Sequence, residues 1–234
     1  MNTVGRALII AVALGVAMGA ASAGTLTGSG ATFPEPLYKK WFYTYNKAHT
    51  ATKINYTGVG SSRGISDIKA KLVDFAGSDA PLTDAELKEM PGRILQIPTC
   101  GGSVVLALNV PGVSSLRLSP SSLAGIYLGL ITRWNDPKIA ADNSGVKLPA
   151  TPITAVHRSD GSGTTHLFTT YLSEVHSTWK AKVGAGKSVK WRCDAQGGRG
   201  AKGNPGVAGM VQKTPGAIGY VELAYANQNK LKVA

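Results

Sequence analysis

Short apolar runs alternate with longer segments of helical periodicity along this chain, which predicts an α/β protein built on mostly parallel sheet. Two further observations point the same way. Glycine is abundant, at 29 of 234 residues, and it clusters where a predicted strand hands over to a predicted helix. No repeat or long linker interrupts the alternation.

The elements follow in order. Residues 25–27 read as a short strand, followed by a glycine loop at 28–32. Pro34 suits a first helical turn with Thr32 at or near the cap, and Leu37, Trp41, Phe42 and Tyr45 fall at helical spacing behind it. Residues 53–56 form a strand and 57–62 a second glycine loop, after which Ile65, Ile68 and Leu72 mark an amphipathic helix. A strand at 73–76 ends on Gly77-Ser78-Asp79, and Thr83 with Glu86 forms a capping-box pattern. Residues 94–97 and 104–109 read as buried strands on either side of a Pro98–Gly102 turn. A helix over 119–130, a strand over 152–156, a helix over 166–182, a glycine-rich loop at 195–206 and a strand over 217–221 complete the pattern. The lobe boundary is expected near 98–103, giving a first lobe over 24–99, a second over 100–225 and a start of a return crossing at 226–234.

The first 23 residues read as an export signal. Arg6 supplies the positive end, an apolar run follows to about Met18, and Ala21-Ser22-Ala23 fits a cleavage site before Gly24. That run is too short and too rich in Ala and Gly for a membrane span. The mature chain is therefore expected to be exported. The full chain's 25 Lys and Arg against 13 Asp and Glu give a net charge of +12, or +11 once Arg6 leaves with the signal, suited to anionic partners. The basic residues are scattered without interleaved aromatics, which argues against nucleic acid. His49, His157, His166 and His176 show no ligand spacing, so no metal or other cofactor is expected. Cys100 and Cys193 are compatible with a disulfide or with two free thiols.

Chemistry concentrates at Arg158-Ser-Asp-Gly-Ser-Gly-Thr-Thr165, just before a predicted helix. A guanidinium fork, hydroxyl donors and unpaired N–H groups at a helix start together cradle an oxyanion. The loops around Thr32-Phe33 and Ser61-Ser62 repeat that chemistry where a strand meets a helix. Ligands of open α/β sheets bind outside the carboxyl ends of the strands, so the three loops can meet on one anion.

These segments carry a resemblance. Gly-Ser-Gly-Ala-Thr-Phe-Pro34, Tyr-Thr-Gly-Val-Gly-Ser-Ser62, Val-Asp-Phe-Ala-Gly-Ser-Asp-Ala-Pro-Leu82, Arg-Ser-Asp-Gly-Ser-Gly-Thr164 and Pro-Gly-Ala-Ile-Gly-Tyr-Val-Glu222 resemble the periplasmic phosphate-binding proteins of the phosphate-specific ABC transporter. The likeness runs from about Leu26 to Leu231. It implies a type II, two-lobed Venus-flytrap fold with mixed, mostly parallel sheets, acting in the periplasm as a monomer that serves membrane permease subunits. It further implies that inorganic phosphate is held by Thr32, the Phe33 N–H, Ser61, Arg158, Ser162, Gly163 and Thr164. In the same scheme Asp79 accepts a ligand proton and Asp160 holds Arg158.

Three departures stand out. Arg63 follows Ser62 where the family usually has glycine and is expected to be solvated. The segment 191–205 is altered and slightly longer. Family members normally run on beyond position 234 to complete the first lobe, which here is expected to expose apolar surface and a strand edge.

Other signals carry less. The P-loop-like stretch 181–188 follows a helix rather than a strand, and the Gly58/Gly60/Gly64 spacing is weak evidence for a nucleotide. Asp160, Ser162 and His157 or His166 supply the residue types of a serine hydrolase or phosphatase, but Arg158 is the better partner for Asp160. No catalytic role is expected, and a fragment of the family without binding activity is the remaining alternative.

Overall fold

The computed structural model describes residues 24–234; the export-signal reading of residues 1–23 lies outside them. Two sheets organise the chain. The first has the order β2-β1-β3, with β1 (Gly24–Gly30) paired in parallel to both β2 (Thr52–Gly58) and β3 (Phe75–Gly77). The second has the order β6-β5-β7-β4-β8. There β5 (Thr154–Arg158) runs parallel to β6 (Arg199–Ala201) and to β7 (Ala217–Glu222), while β4 (Val104–Asn109) is antiparallel to β7 and to β8 (Lys232–Val233). Residues 226–234, expected to start a crossing back to the first lobe, instead lie against this second sheet.

Strand β1 extends into the expected 28–32 glycine loop and ends at Gly30. It is central, and a Cβ on Gly28 would lie 2.3 Å from the Phe75 ring. Gly30, at φ +136, would meet the Gly77 carbonyl at 2.2 Å. Only glycines let three strands close up here.

Helix α1 (Glu35–Ala48) follows β1 and α2 (Ser61–Lys69) follows β2. Both turn a different face inward from the one their apolar spacing predicts. On α1, Tyr38 is buried and meets Phe42 and Tyr56, while Leu37 and Trp41 are exposed. Helix α2 buries Ser61, Gly64 and Asp67, not Ile65 and Ile68, and Leu72 stands in solvent. Close approach decides this: Gly64 lies against β1, and Asp67 accepts a hydrogen bond from the Ser29 hydroxyl at 2.8 Å. Arg63 is largely exposed, as expected, and pairs with Asp67 at 2.6 Å.

The capping box of α3 (Asp84–Lys88) is formed as predicted. Residues 94–97 are not a strand. Among the described residues no strand lies beside them, and Leu95 and Ile97 are exposed. An extended segment without a paired edge leaves its backbone groups to water.

The second lobe holds both hydrophobic core clusters, all of whose members lie beyond residue 103. Helices α4 (Pro120–Tyr127) and α5 (Pro137–Asp142) pack with Trp134 and Ile139 on one side of the sheet. The helix expected over 166–182 is two: α6 (Gly163–Val175) and α7 (Ser177–Lys182). His176 breaks it by leaving the helical region and accepting the Trp179 N–H to cap α7. The expected loop at 195–206 contains the end of a 3₁₀ turn (Arg192–Gln196), β6 and the start of α8 (Gly203–Lys213). Helix α9 (Leu223–Gln228) follows β7. Among the described residues no helix is long and apolar enough to cross a membrane. Cys100 and Cys193 are free thiols, the first exposed and the second buried.

Gly64→Ala separates the two influences on α2. Helix propensity favours alanine by roughly 1 kcal/mol. The added Cβ would, however, sit 2.5 Å from the Gly30 Cα, backbone that has little room to yield. Net destabilisation of about 1–2 kcal/mol is expected in urea unfolding, and a stabilised variant would refute the packing account.

Candidate anion-binding cleft

Every parallel strand of the first sheet, together with β5 and β6, ends at the same cleft. The strand-to-helix junctions after β1, β2, β3, β5 and β6 carry Thr32, Ser61 at the start of α2, Asp79, Arg158 at the end of β5 with Asp160, and Asn204 at the start of α8. Four helices, α1, α2, α6 and α8, begin there, and the ends of α2, α6 and α8 bring unpaired N–H groups and partial positive charge, whereas α1 opens on Pro34 and Pro36.

Hydrogen bonds join the two lobes residue to residue. Ser61 Oγ accepts from the Gly163 N–H at 3.0 Å, and the Thr164 hydroxyl donates to Asp79 Oδ2 at 3.0 Å. The Ser62 N–H donates to the Gly161 carbonyl at 3.1 Å. Further out, Lys187 Nζ pairs with Glu86 at 2.5 Å, so the P-loop-like stretch serves as a bridge to α3. The lobes are closed on each other.

Arg158 is 4% exposed, and its Nε and Nη2 donate to the two oxygens of Asp160 at 2.7 and 2.5 Å. Asp160 also accepts the Gly203 N–H at 3.0 Å. Burial raises its pKa, but the Arg158 hydrogen bonds and charge and the Gly203 N–H outweigh that, and the net shift is downward. The carboxylate therefore stays ionised and holds the fork in one orientation. Gly60 has φ +98, and a Cβ there would meet Asp160 Oδ2 at 2.4 Å, so α2 approaches the pair closely.

Asp79 is the opposite case. Burial drives its pKa up, against the Thr164 hydrogen bond and the Arg158 charge, to about 6. Its carboxylate is thus present at neutral pH but only weakly favoured.

Ser162 caps α6 by accepting the Thr165 N–H at 3.1 Å, and its own N–H donates to the Lys187 carbonyl at 2.8 Å. Its hydroxyl proton remains available to a ligand. Among the described residues no hydrogen bond joins the Ser162 hydroxyl to a histidine side chain: the His166 backbone N–H reaches only the Ser162 carbonyl, at 3.1 Å, and the His157 ring contacts Asp194 at 2.7 Å and the Arg158 carbonyl at 3.1 Å. Phe33 is half-buried with its ring against Gly102.

Thr32 does not cap α1, whose cap position is Pro34 without a side-chain bond. Its Oγ1 instead accepts from both the N–H and the Nδ2 of Asn204, at 3.1 and 2.9 Å. With both lone pairs occupied, the Thr32 O–H can only donate. Asn204 is fully buried and also reaches Thr164 Oγ1 at 3.3 Å, while its Oδ1 accepts the Glu222 N–H at 2.9 Å. Sequence reasoning missed it because glycines at 197, 198, 200 and 203 made the segment read as a loop. Pro205 ahead of Val207, Ala208 and Val211 was the available sign of a helix start. Tyr220 was missed too; its hydroxyl accepts the Arg158 N–H at 3.0 Å and meets Thr165 Oγ1 at 2.7 Å.

Two α/β lobes closed over a polar cleft at their strand ends define the architecture of a two-lobed binding protein. A sequence profile described as the PBP superfamily domain matches residues 15–234, and the chain belongs to that superfamily. It is 47% identical over 228 residues to the phosphate-binding protein PstS of Pasteurella multocida, an alignment covering 97% of this chain and 64% of that protein. It is 50% identical over 208 residues to PstS of Xylella fastidiosa strain 9a5c, covering 88% of this chain and 55% of the relative. Among solved structures, a high-affinity periplasmic phosphate-binding protein (PfluDING) bound with phosphate superposes with a TM-score of 0.66 at 26% identity, over 90% of this chain and 61% of that one. The chain thus spans little more than half to just under two thirds of these relatives' lengths.

Removing the Asn204 side chain strips partners from Thr32, Thr164 and the Glu222 N–H at once. Asn204→Ala is expected to cost about 2–3 kcal/mol in urea unfolding. A loss under about 0.5 kcal/mol, the range of ordinary surface substitutions, would mean that this network does not hold the lobes together.

Proposed function

We propose that the chain binds inorganic phosphate in this cleft and that, in the periplasm, it delivers the anion to the permease subunits of a phosphate ABC importer. The observation that carries the reading is the pairing of opposite chemistries in one closed space. Arg158, the Phe33 N–H before α1 and the N-termini of α2 and α6 can only donate, while Asp79 can accept. The names of the PstS relatives support the same ligand. In this reading Thr32, Ser61, Ser162 and Thr164 give hydroxyl or backbone donors, Phe33 gives its backbone N–H, Arg158 neutralises charge, and Asp160 fixes Arg158; Gly163, expected among the ligand donors, instead has its N–H engaged by Ser61 Oγ and orients that hydroxyl. The role is binding rather than turnover, because the Ser162 oxygen is engaged as a helix cap and has no histidine base.

Asp79 sets the selectivity. Phosphate at neutral pH keeps at least one O–H, which the carboxylate accepts, whereas sulfate offers none and meets it with like charge. Sites that bond a ligand hydroxyl reject analogues lacking it by roughly 10⁴–10⁵. Arsenate carries the same donors and is excluded far less.

Calorimetric titration of residues 24–234 near neutral pH is expected to give one-to-one phosphate binding with no sulfate heat. Asp79→Asn, which can donate through its amide, is expected to narrow the phosphate-to-sulfate ratio by at least tenfold, the equivalent of about 1.4 kcal/mol. Acid has the same direction of effect. Below about pH 6 the Asp79 carboxyl gains its proton and becomes a donor, so sulfate binding is expected to appear as pH falls through that value. An unaltered ratio in the variant and at low pH would remove Asp79 from the site. Absent phosphate heat from a folded chain would overturn the function.

A further inference from the structure

The altered segment 191–205 contributes Gly203 and Asn204 to the cleft, but its first half has no part there. That half is the 3₁₀ turn, which carries Cys193 and Asp194 to the end of β5 beside His157. The donor atoms of these three residues all lie within 4.8 Å of one another. We infer that His157, Cys193 and Asp194 form a site for a divalent transition metal, of which zinc suits the donor set best.

The proton inventory of His157 points to this. Its Nδ1 lies 3.1 Å from the Arg158 carbonyl, which can only accept, so Nδ1 carries a hydrogen. Nε2 then faces Asp194 Oδ1 at 2.7 Å. An imidazole lone pair and a carboxylate oxygen do not meet at that distance unless a positive species lies between them. Either a second ring proton or a metal ion fills that role, and Cys193 supplies a third donor for the metal alone. An imidazole whose far N–H is held by a backbone carbonyl is the usual outer support of a metal-bound histidine. The ring plane is fixed as well, stacked on Trp191 with centroids 4.7 Å apart and 19° between planes.

The donor set selects the metal class. Nitrogen, sulfur and carboxylate oxygen together suit zinc with water as a fourth ligand, whereas calcium and magnesium take oxygens. Tetrahedral zinc would separate Nε2 from the Asp194 oxygen by about 3.3 Å, given metal–ligand distances of about 2.0–2.2 Å. The carboxylate must therefore withdraw by about half an ångström from its present contact. Its side chain is 52% exposed, which permits that movement and opens a path for the ion. Glycines keep the surroundings clear: a Cβ at Gly198 would lie 3.0 Å from Asp194 Oδ1, and one at Gly200 would lie 3.4 Å from His157 Cε1. Burial keeps the Cys193 thiol protonated in the metal-free chain, its pKa pushed up to about 12. Coordination forms the sulfur–metal bond and releases that proton to solvent.

The test is a titration of untagged, chelator-treated Cys100→Ser protein with Co²⁺, followed by Zn²⁺. Cys100→Ser removes the exposed thiol and leaves the proposed ligands intact. The expected result is one equivalent of Co²⁺ with strong visible bands of tetrahedral cobalt and a thiolate-to-cobalt charge-transfer band, both bleached by Zn²⁺. Adding Cys193→Ser should abolish the charge-transfer band and weaken zinc at least tenfold. Zinc should raise the melting temperature of the parent and not of that variant. Weak octahedral cobalt spectra, or none, would mean that a proton alone joins His157 to Asp194, and would overturn the proposal. So would a charge-transfer band that survives Cys193→Ser. The parent titration decides the matter even if the second variant fails to fold, and it is independent of phosphate binding.

Discussion

A guanidinium buried to 4% exposure cannot stand alone, and the arrangement of the cleft follows from how Arg158 is compensated. Asp160, two residues on, takes both of its hydrogen bonds and is itself bound by the Gly203 N–H, so β5, β6 and the start of α8 are fixed to one another. The first lobe meets the same pair, because the backbone at Gly60 passes so close to Asp160 that no Cβ fits. The N-terminus of α2 is thereby brought to the cation. Arg158 Nη1 makes no hydrogen bond among the described residues, which leaves it to the anion in the proposed role.

Around that pair, each hydroxyl is oriented by an acceptor role inside the protein. Thr32 is filled by Asn204, Ser61 by Gly163, and Ser162 by Thr165. A hydroxyl that already accepts has its remaining hydrogen directed elsewhere, and several such hydrogens in one cleft create a donor-rich, low-dielectric space. Asp79 is the counterweight, and in the proposed role the same burial that makes its charge costly is what lets it discriminate between ligands.

The chemistry of the cleft could be read in the sequence because it lies in short contiguous motifs. Arg158 to Thr164, Thr32-Phe33 and Ser61 each sit where a strand meets a helix, and that boundary is written in glycines and hydroxyls. What could not be read depends on tertiary contact. Asn204 and Tyr220 act from distant segments, and their partners are known only once β5, β7 and α8 are packed. The inward face of α2 was masked because its apolar residues are not its buried ones; Gly64 and Asp67 lie inward through close approach and a hydrogen bond. Residues 94–97 have strand composition without a paired edge. The two-sheet architecture was predictable, whereas the concentration of both core clusters in the second lobe was not.

In the proposed role one oxyanion is held jointly by helix N-termini of both lobes. Amide chemical shifts during a phosphate titration of the isotopically labelled chain test it most directly. Large, saturating downfield shifts of the Phe33, Ser61 and Thr164 N–H signals with a common midpoint are expected, as charge-assisted hydrogen bonds form. Saturable phosphate binding that leaves the Phe33 and Ser61 amides unmoved, or that moves the two lobes with different midpoints, would contradict it.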